Sequence, residues 1–183
     1  MMKPHRVFIA INLSEEAKTK LLAYQEHWLE LPAKWTSKEN LHLTLAFLGN
    51  TSDQELEKVC DVVRQIGEWH KPFSVEFTKI VYGLSKDAPK MIWALIEKSP
   101  ELLELQKDVM STLHAEEEQN FIPHLTLARL RAFELSRMEL EELPDVNAEI
   151  SVSFEVKSIE VMESKLRRSG SEYTVIQSFM LKR

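Results

Sequence analysis

The pentapeptide HLTLA occupies residues 42–46 and recurs at residues 124–128, and each copy holds a histidine and a threonine separated by one apolar residue. Side chains alternate along a β-strand, so His42 and Thr44 share one face while Leu43 and Leu45 share the other. The same holds for His124 with Thr126 and for Leu125 with Leu127. The pattern predicts buried leucines and a polar pair roughly 7 Å apart at Cα, two rises of about 3.3 Å, within reach of one small bound group. If the strands meet at a pseudo-twofold axis, two imidazoles and two hydroxyls face each other across a cleft.

That constellation suits phosphoryl chemistry. Hydrolysis of a phosphodiester needs a base to take a proton from the attacking water and an acid to give one to the leaving oxygen. Histidine titrates close enough to neutrality for either task, and threonine hydroxyls can donate to non-bridging phosphate oxygens. A single His-x-Thr would be explained as well by a half-exposed strand. Repetition favours chemistry, because inherited packing would keep the leucines more readily than the polar pair. Metal binding is the rival reading, and zinc sites use three or four ligands. The chain has no HExxH, no CxxC and no acidic residue on the same strand face beside either copy, so nothing in the sequence prompts a metal. His5, His27, His70 and His114 stand apart near segment ends or on helices, where solvated positions would account for them.

The elements that must position these residues can be read from periodicity. "RVFIAINL" predicts a strand, and Ser14 caps a helix through "EEAKTKLLAYQEHWLEL" that Pro32 stops. The first HLTLA strand follows, then a helix over "TSDQELEKVCDVVRQIGEW" capped by Thr51 or Ser52. "FSVEFTKIVYGL" and "KMIWALIEK" predict a hairpin joined by "SKDAP". Ser99 and Pro100 open a third helix ahead of the second HLTLA strand. A short acidic helix near "FELSRMELEEL" precedes two long strand-like segments, "AEISVSFEVKSIEVMESKL" and "SEYTVIQSFMLKR", around the turn "RRSG". Each HLTLA strand has a helix before and after it, which suggests an internal duplication. Linkers rich in Pro, Gly or Ser are missing, so residues 1–183 are expected to form one domain of two lobes.

Composition narrows the function further. The 183 residues are 44% hydrophobic, enough for a substantial core. With 23 basic and 29 acidic residues the net charge is −6, which disfavours a grip along duplex nucleic acid. Basic residues gather locally at Arg129 and Arg131, and at Lys165, Arg167 and Arg168, patches suited to a small phosphate or a strand end. The lone cysteine, Cys60, is expected to be a buried thiol, not a nucleophile. Neither a secretory signal nor a membrane-spanning run is evident, so a cytoplasmic protein with no membrane partner is expected.

The paired motifs His42–Leu45 and His124–Leu127 resemble those of the two-histidine phosphoesterase superfamily. "WTSKENLHLTLAFLG", "FIPHLTLAR" and "MESKLRRSGSEYTVIQSFML" resemble more specifically the bacterial and archaeal RNA 2′,3′-cyclic phosphodiesterases, formerly called 2′-5′ RNA ligases, and the resemblance runs from "RVFIAINL" to the C-terminus. It implies a bilobal α+β fold, with two pseudo-symmetric antiparallel sheets lining a central cleft and helices outside. It implies opening of 2′,3′-cyclic phosphate ends to a 2′-phosphate without metal or nucleotide cofactor. His42 would be the proton donor to the departing 3′ oxygen, His124 the proton acceptor that activates water, and Thr44 and Thr126 the phosphate-binding hydroxyls. Arg129 matches a family arginine that could contact phosphate, yet strict alternation places it opposite His124, so a bulge or the strand end must turn it. Phe8 and Tyr173 are candidates for stacking a base, although aromatic residues on strands also build cores. The stretch "YGLSKDAPKMIWALIEK" carries charges where a smoother apolar turn is expected in relatives, which bears on substrate preference. The expected partners are RNA ends or small nucleotides carrying a 2′,3′-cyclic phosphate, acted on by a monomer. Two rivals use the same cleft: a non-catalytic RNA-end or nucleotide-binding module, and a phosphodiesterase for a small cyclic phosphate such as one of ADP-ribose.

Overall fold

The run "RVFIAIN" is apolar at nearly every position, and a strand so composed needs cover on both faces. The computed structural model, which describes residues 4–83, 89–115, 121–135, 137, 138, 143–168 and 170–182, gives it that cover. In β1 (His5–Asn12), Val7, Ile9 and Ile11 enter the main core, while Phe8 and Ala10 form a separate small cluster with Met162. Along the chain β1 is followed by α1 (Glu15–Ala23), β2 (Ala33–Trp35), β3 (His42–Thr51) and α2 (Asp53–Trp69). Then come β4 (Phe73–Gly83), β5 (Met91–Ile96), α3 (Pro100–Thr112), β6 (His124–Leu130) and the short α4 (Ala132–Leu135). The last three strands are β7 (Ala148–Val156), β8 (Ser158–Arg167) and β9 (Gly170–Met180).

These strands make two antiparallel sheets, one ordered β3-β1-β8-β9 and the other β2-β6-β5-β4-β7. The sheets approach each other through β3 and β6, the two HLTLA strands. The expected α+β architecture is therefore present. The order β1-α1-β3-α2 parallels β5-α3-β6-α4, with β8 and β9 extending the first pair of strands and β4 and β7 on one side and β2 on the other extending the second. Leu43, Leu45, Leu125 and Leu127 are all buried, as the alternation predicts.

Helix starts follow the sequence signals. Ser14 Oγ accepts from the Ala17 amide, Ser52 and Glu55 form a reciprocal capping box, and Ser99 caps α3 with Pro100 at its first position. The helix expected to run on toward Pro32 instead ends at Ala23 and tightens into a 3-10 helix over Tyr24–Trp28. That tighter turn brings Trp28 inward, where its Nε1 donates to the Asp145 carbonyl at 3.2 Å. The segment "AEISVSFEVKSIEVMESKL" is two strands, not one. Lys157 alone separates β7 in one sheet from β8 in the other, and the residues facing the main core shift there from Val152, Phe154 and Val156 to Ile159 and Val161 as the chain changes sheets. Residues 84–88, most of the expected hairpin turn, and 139–142, part of the expected acidic helix, lie outside the described residues.

Two histidines expected to be solvated are not. His70 is buried, with Nε2 2.9 Å from Asp108 Oδ2. His5 bridges Glu163 at 2.8 Å and Asp53 at 2.9 Å, and those two hydrogen bonds raise its pKa. Cys60 is buried as expected, and burial pushes its thiol upward. Among the described residues no helix is long and apolar enough to cross a membrane.

Candidate active site

His42 and His124 open their strands, and each ring is held in the same way. His42 Nδ1 lies 2.7 Å from the Asn40 carbonyl, and His124 Nδ1 lies 2.7 Å from the Ile122 carbonyl. A carbonyl only accepts, so each Nδ1 carries the hydrogen and Nε2 is the nitrogen with an acceptor lone pair. Both histidines, Thr44 and Thr126 line one cleft of about 760 Å³ between the sheets. Further polar anchoring comes from Thr36, whose hydroxyl donates to the Thr126 carbonyl at 2.9 Å.

The backbone irregularity that the arginine required is present, and it is present twice. In β6, Trp93 pairs with Thr126 but Ile92 pairs with Ala128, so Leu127 is an extra residue. In β3, Ala10 pairs with Thr44 but Ile9 pairs with Ala46, so Leu45 is the extra one. A bulge puts two successive residues on the same side, and Leu127 and Ala128 are both buried, as are Leu45 and Ala46. Alternation then resumes out of phase. Arg129 returns to the cleft beside His124 and Thr126, and Phe47 does the same beside His42 and Thr44.

The two imidazoles differ in surroundings. His42 packs against Phe8 at 5.0 Å and edge-on against Tyr173 at 4.9 Å between ring centroids. Burial beneath these rings, and secondarily the positive charges of Arg129 and Lys18, pull its pKa down to about 4, against the opposing pull of the Asn40 carbonyl. His124 instead stacks on Trp93, centroids 3.9 Å apart and planes 24° from parallel. Trp93 is itself nearly buried, its Nε1 has no hydrogen-bond partner, and it lies flat on Gly83. A Cβ at position 83 would come within 2.5 Å of the indole, so only glycine allows this approach.

Asn40 ties one half of the site to the far edge of its sheet. Its Nδ2 donates to the Ser171 carbonyl at 3.1 Å and its Oδ1 accepts from the Tyr173 amide at 3.2 Å, while its own carbonyl holds His42. Tyr173 is half-buried in the cleft wall. Phe8 is 2% exposed, covered by the rings of His42, Phe47 and Tyr173. It is therefore floor, with no face free for a base, which corrects the stacking role expected of it. Two members of the expected basic patch at the end of β8 are paired with carboxylates, Lys165 with Glu163 at 2.9 Å and Arg167 with Glu172 at 2.9 Å. Among the described residues the cationic lining of the cleft is Arg6 and Arg129, and no group of three or more His, Cys, Asp or Glu side chains converges as metal ligands would.

Sequence reasoning missed Asn40, Trp93, Gly83 and Phe47. The asparagine and phenylalanine stood inside the quoted "ENLHLTLAFLG", within two residues of the motif, where proximity was the available signal.

Residues 19–168 match the model of a family described as the 2′-5′ RNA ligase superfamily. A Methanocaldococcus jannaschii protein named RNA 2′,3′-cyclic phosphodiesterase is 27% identical over 180 residues, covering 95% of this chain and 99% of its own length. A Thermotoga maritima protein of the same name is 27% identical over 176 residues, covering 93% of this chain and 92% of its own. The crystal structure of TT0787 of Thermus thermophilus superposes with a TM-score of 0.82 at 24% identity, over 96% of this chain and 97% of that one, a likeness of fold.

Proposed function

The chain belongs to the 2′-5′ RNA ligase superfamily, and from that membership together with its cleft we propose that it hydrolyses 2′,3′-cyclic phosphate ends of RNA or nucleotides to 2′-phosphomonoesters. The observation that carries this reading is the pair of identically tethered histidines, each beside a threonine, lining one cleft. Relatives at similar length bear the name of this activity.

The cyclic phosphate sits between the strands, with the Thr44 and Thr126 hydroxyls and the Arg129 guanidinium on its non-bridging oxygens. His124 Nε2 takes a proton from water, and the water oxygen attacks phosphorus in line. The bond from phosphorus to O3′ breaks, and His42 Nε2 gives its proton to O3′, leaving the phosphate on O2′. The protein by itself holds His42 neutral at physiological pH, since its pKa there is about 4. An anionic phosphate placed beside it favours the imidazolium. Substrate binding thus charges the acid, and the proton arrives with or after the phosphate.

Every group in this scheme comes from one chain, so we assign activity to the monomer, and the buried unpaired Cys60 suits a reducing cytoplasm. The test is to offer chelator-treated protein nucleoside 2′,3′-cyclic phosphates and cyclic-ended oligonucleotides and to identify the product isomer. The expected product is the 2′-phosphate, formed without added metal. Absence of hydrolysis, a 3′-phosphate product, or activity recovered only with one divalent cation would overturn the scheme.

A further inference from the structure

Trp93 stands on β5 opposite Thr126, and His124 lies two residues from that threonine on the same face of β6. The indole covers the His124 imidazole, with centroids 3.9 Å apart and planes 24° from parallel. Two features of this stack work against stability. β4 must leave position 83 to glycine, since a Cβ there would come within 2.5 Å of the indole, and the indole Nε1 is buried without a hydrogen-bond partner. A phenyl ring at position 93 would be buried without stranding a donor. What the indole adds is its face, which holds a cation more strongly than phenyl or phenol does. A protonated imidazole is such a cation, so the contact strengthens when His124 takes up a proton. An interaction stronger after that transfer than before it lowers the barrier to it. The packing at His42 differs, with Phe8 tilted by 40° and Tyr173 by 79° from the ring.

We propose that Trp93 is the positioning residue of the base: its face aims the His124 ring and stabilises the imidazolium that forms as His124 takes the proton of the attacking water. The inference rests on the cleft being a cyclic phosphodiesterase site. With Nδ1 held by the Ile122 carbonyl at 2.7 Å and one ring face against the indole, Nε2 points in a fixed direction. Among the described residues, the titratable groups lining the cleft with His124 are His42, Arg129, Tyr173 and, farther along β1, Arg6, while α3 contributes Gln106 and Met110. A guanidinium beside His124 disfavours a second positive charge there, and the indole face opposes that effect.

The test reads the His124 pKa directly by NMR, from the ring Cε1–H resonance identified by its loss in His124→Gln, with the His42 resonance as internal control. Replacing the four tryptophans by 5-fluorotryptophan withdraws charge from the indole face and leaves its size nearly unchanged. The His124 pKa is expected to fall, while the His42 pKa and the Tm stay where they are. In Trp93→Leu the fall is expected to reach roughly half a unit to one and a half units, the range of one cation–π contact, and Trp93→Phe is expected to restore part of it. On a nucleoside 2′,3′-cyclic phosphate, Trp93→Leu is expected to lose roughly two- to thirtyfold in kcat, with KM little altered. A His124 pKa that does not move on fluorination, or that moves no further than that of His42, overturns the proposal, as does an unaltered kcat in Trp93→Leu. Were the unsubstituted protein to hydrolyse no cyclic phosphate, the catalytic reading would fail by itself, and the titration of the fluorinated protein would still decide whether the indole stabilises the imidazolium.

Discussion

The two HLTLA strands share a backbone design and differ in what surrounds it. Each begins with a histidine whose Nδ1 is tied to the carbonyl two residues earlier, each bulges at the leucine after its threonine, and each returns the next outward side chain to the cleft. Around His42, however, the packing is aromatic, edge-on and desolvating, and its carbonyl partner is cross-tied to β9 through the Asn40 side chain. Around His124 a single indole lies parallel to the ring, and the carbonyl partner belongs to the exposed Ile122. Duplicated backbone therefore supplies equivalent positions for two proton-transfer groups. Their unlike neighbours are what the proposed division into acid and base rests on.

The sharpest way to break that distinction is to ask which histidine a better leaving group makes dispensable. On an ordinary cyclic phosphate, His42→Ala and His124→Ala are each expected to lose roughly a hundred- to ten-thousand-fold in kcat, the usual span for a general acid or base. With a leaving group that needs no proton, His42→Ala is expected to recover part of that loss and His124→Ala to recover nothing. Rescue of His124→Ala alone would exchange the assigned roles, and near-normal activity in both variants would end the two-histidine scheme. Circular dichroism on each variant separates loss of chemistry from loss of fold.

A smaller effect separates the two carbonyl tethers. Asn40→Ala removes two side-chain hydrogen bonds, each contributing about 0.5–1.5 kcal/mol, and loosens the turn that aims His42. We expect a lower Tm and a loss in kcat of roughly ten- to hundredfold from misplacement of the ring, with KM little altered. Ile122→Ala leaves its carbonyl in place, so a loss in kcat well below that of Asn40→Ala is expected. Equal losses would mean that the tether through β9 has no particular role.

The smallest expected effect lies in stability against pH, where two histidines oppose each other. His42 titrates at about 4 in the folded chain against 6.5 ordinarily, so its contribution is full above 6.5 and is lost as pH falls toward 4. The pKa of His5 is raised by Glu163 and Asp53, so its contribution is present below 6.5 and lost as pH rises through its folded value. His42→Gln is expected to flatten the acid-side fall in Tm, and His5→Gln to steepen it. Parallel pH profiles for wild type and His42→Gln would show that burial of this ring does not control its protonation.

Local pattern made much of this readable. HLTLA alternation gave the buried leucines and the cleft-facing pairs, and Ser14, Ser52 and Ser99 announced their helices because capping is chemistry confined to one turn. What escaped depends on partners distant in the chain. Arg129 reaches the cleft through a bulge at Leu127 that exists only relative to β5. Phe8 looked as available as Tyr173, yet Met162 on β8 and His42 on β3 decide that it is floor. The break at Lys157 is marked by a slip of the apolar phase from Val156 to Ile159, but the change of hydrogen-bonding partners from β4 to β1 is not written locally.

That crossover also dictates an order of assembly. The five-stranded sheet draws on residues up to Val156, whereas β1 and β3 wait for β8 and β9, which are synthesised after every strand of that sheet. During synthesis the half bearing His124 can close first, while β1 carries an unpaired edge and the Phe8 surface lacks Met162 and Tyr173. The nascent chain thus completes the surroundings of His124 before those of His42. Its greatest exposure to mispairing and to chaperones falls in the interval between Val156 and Met180, and a ribosome stalled there would display a half-built cleft whose His42 wall is still open.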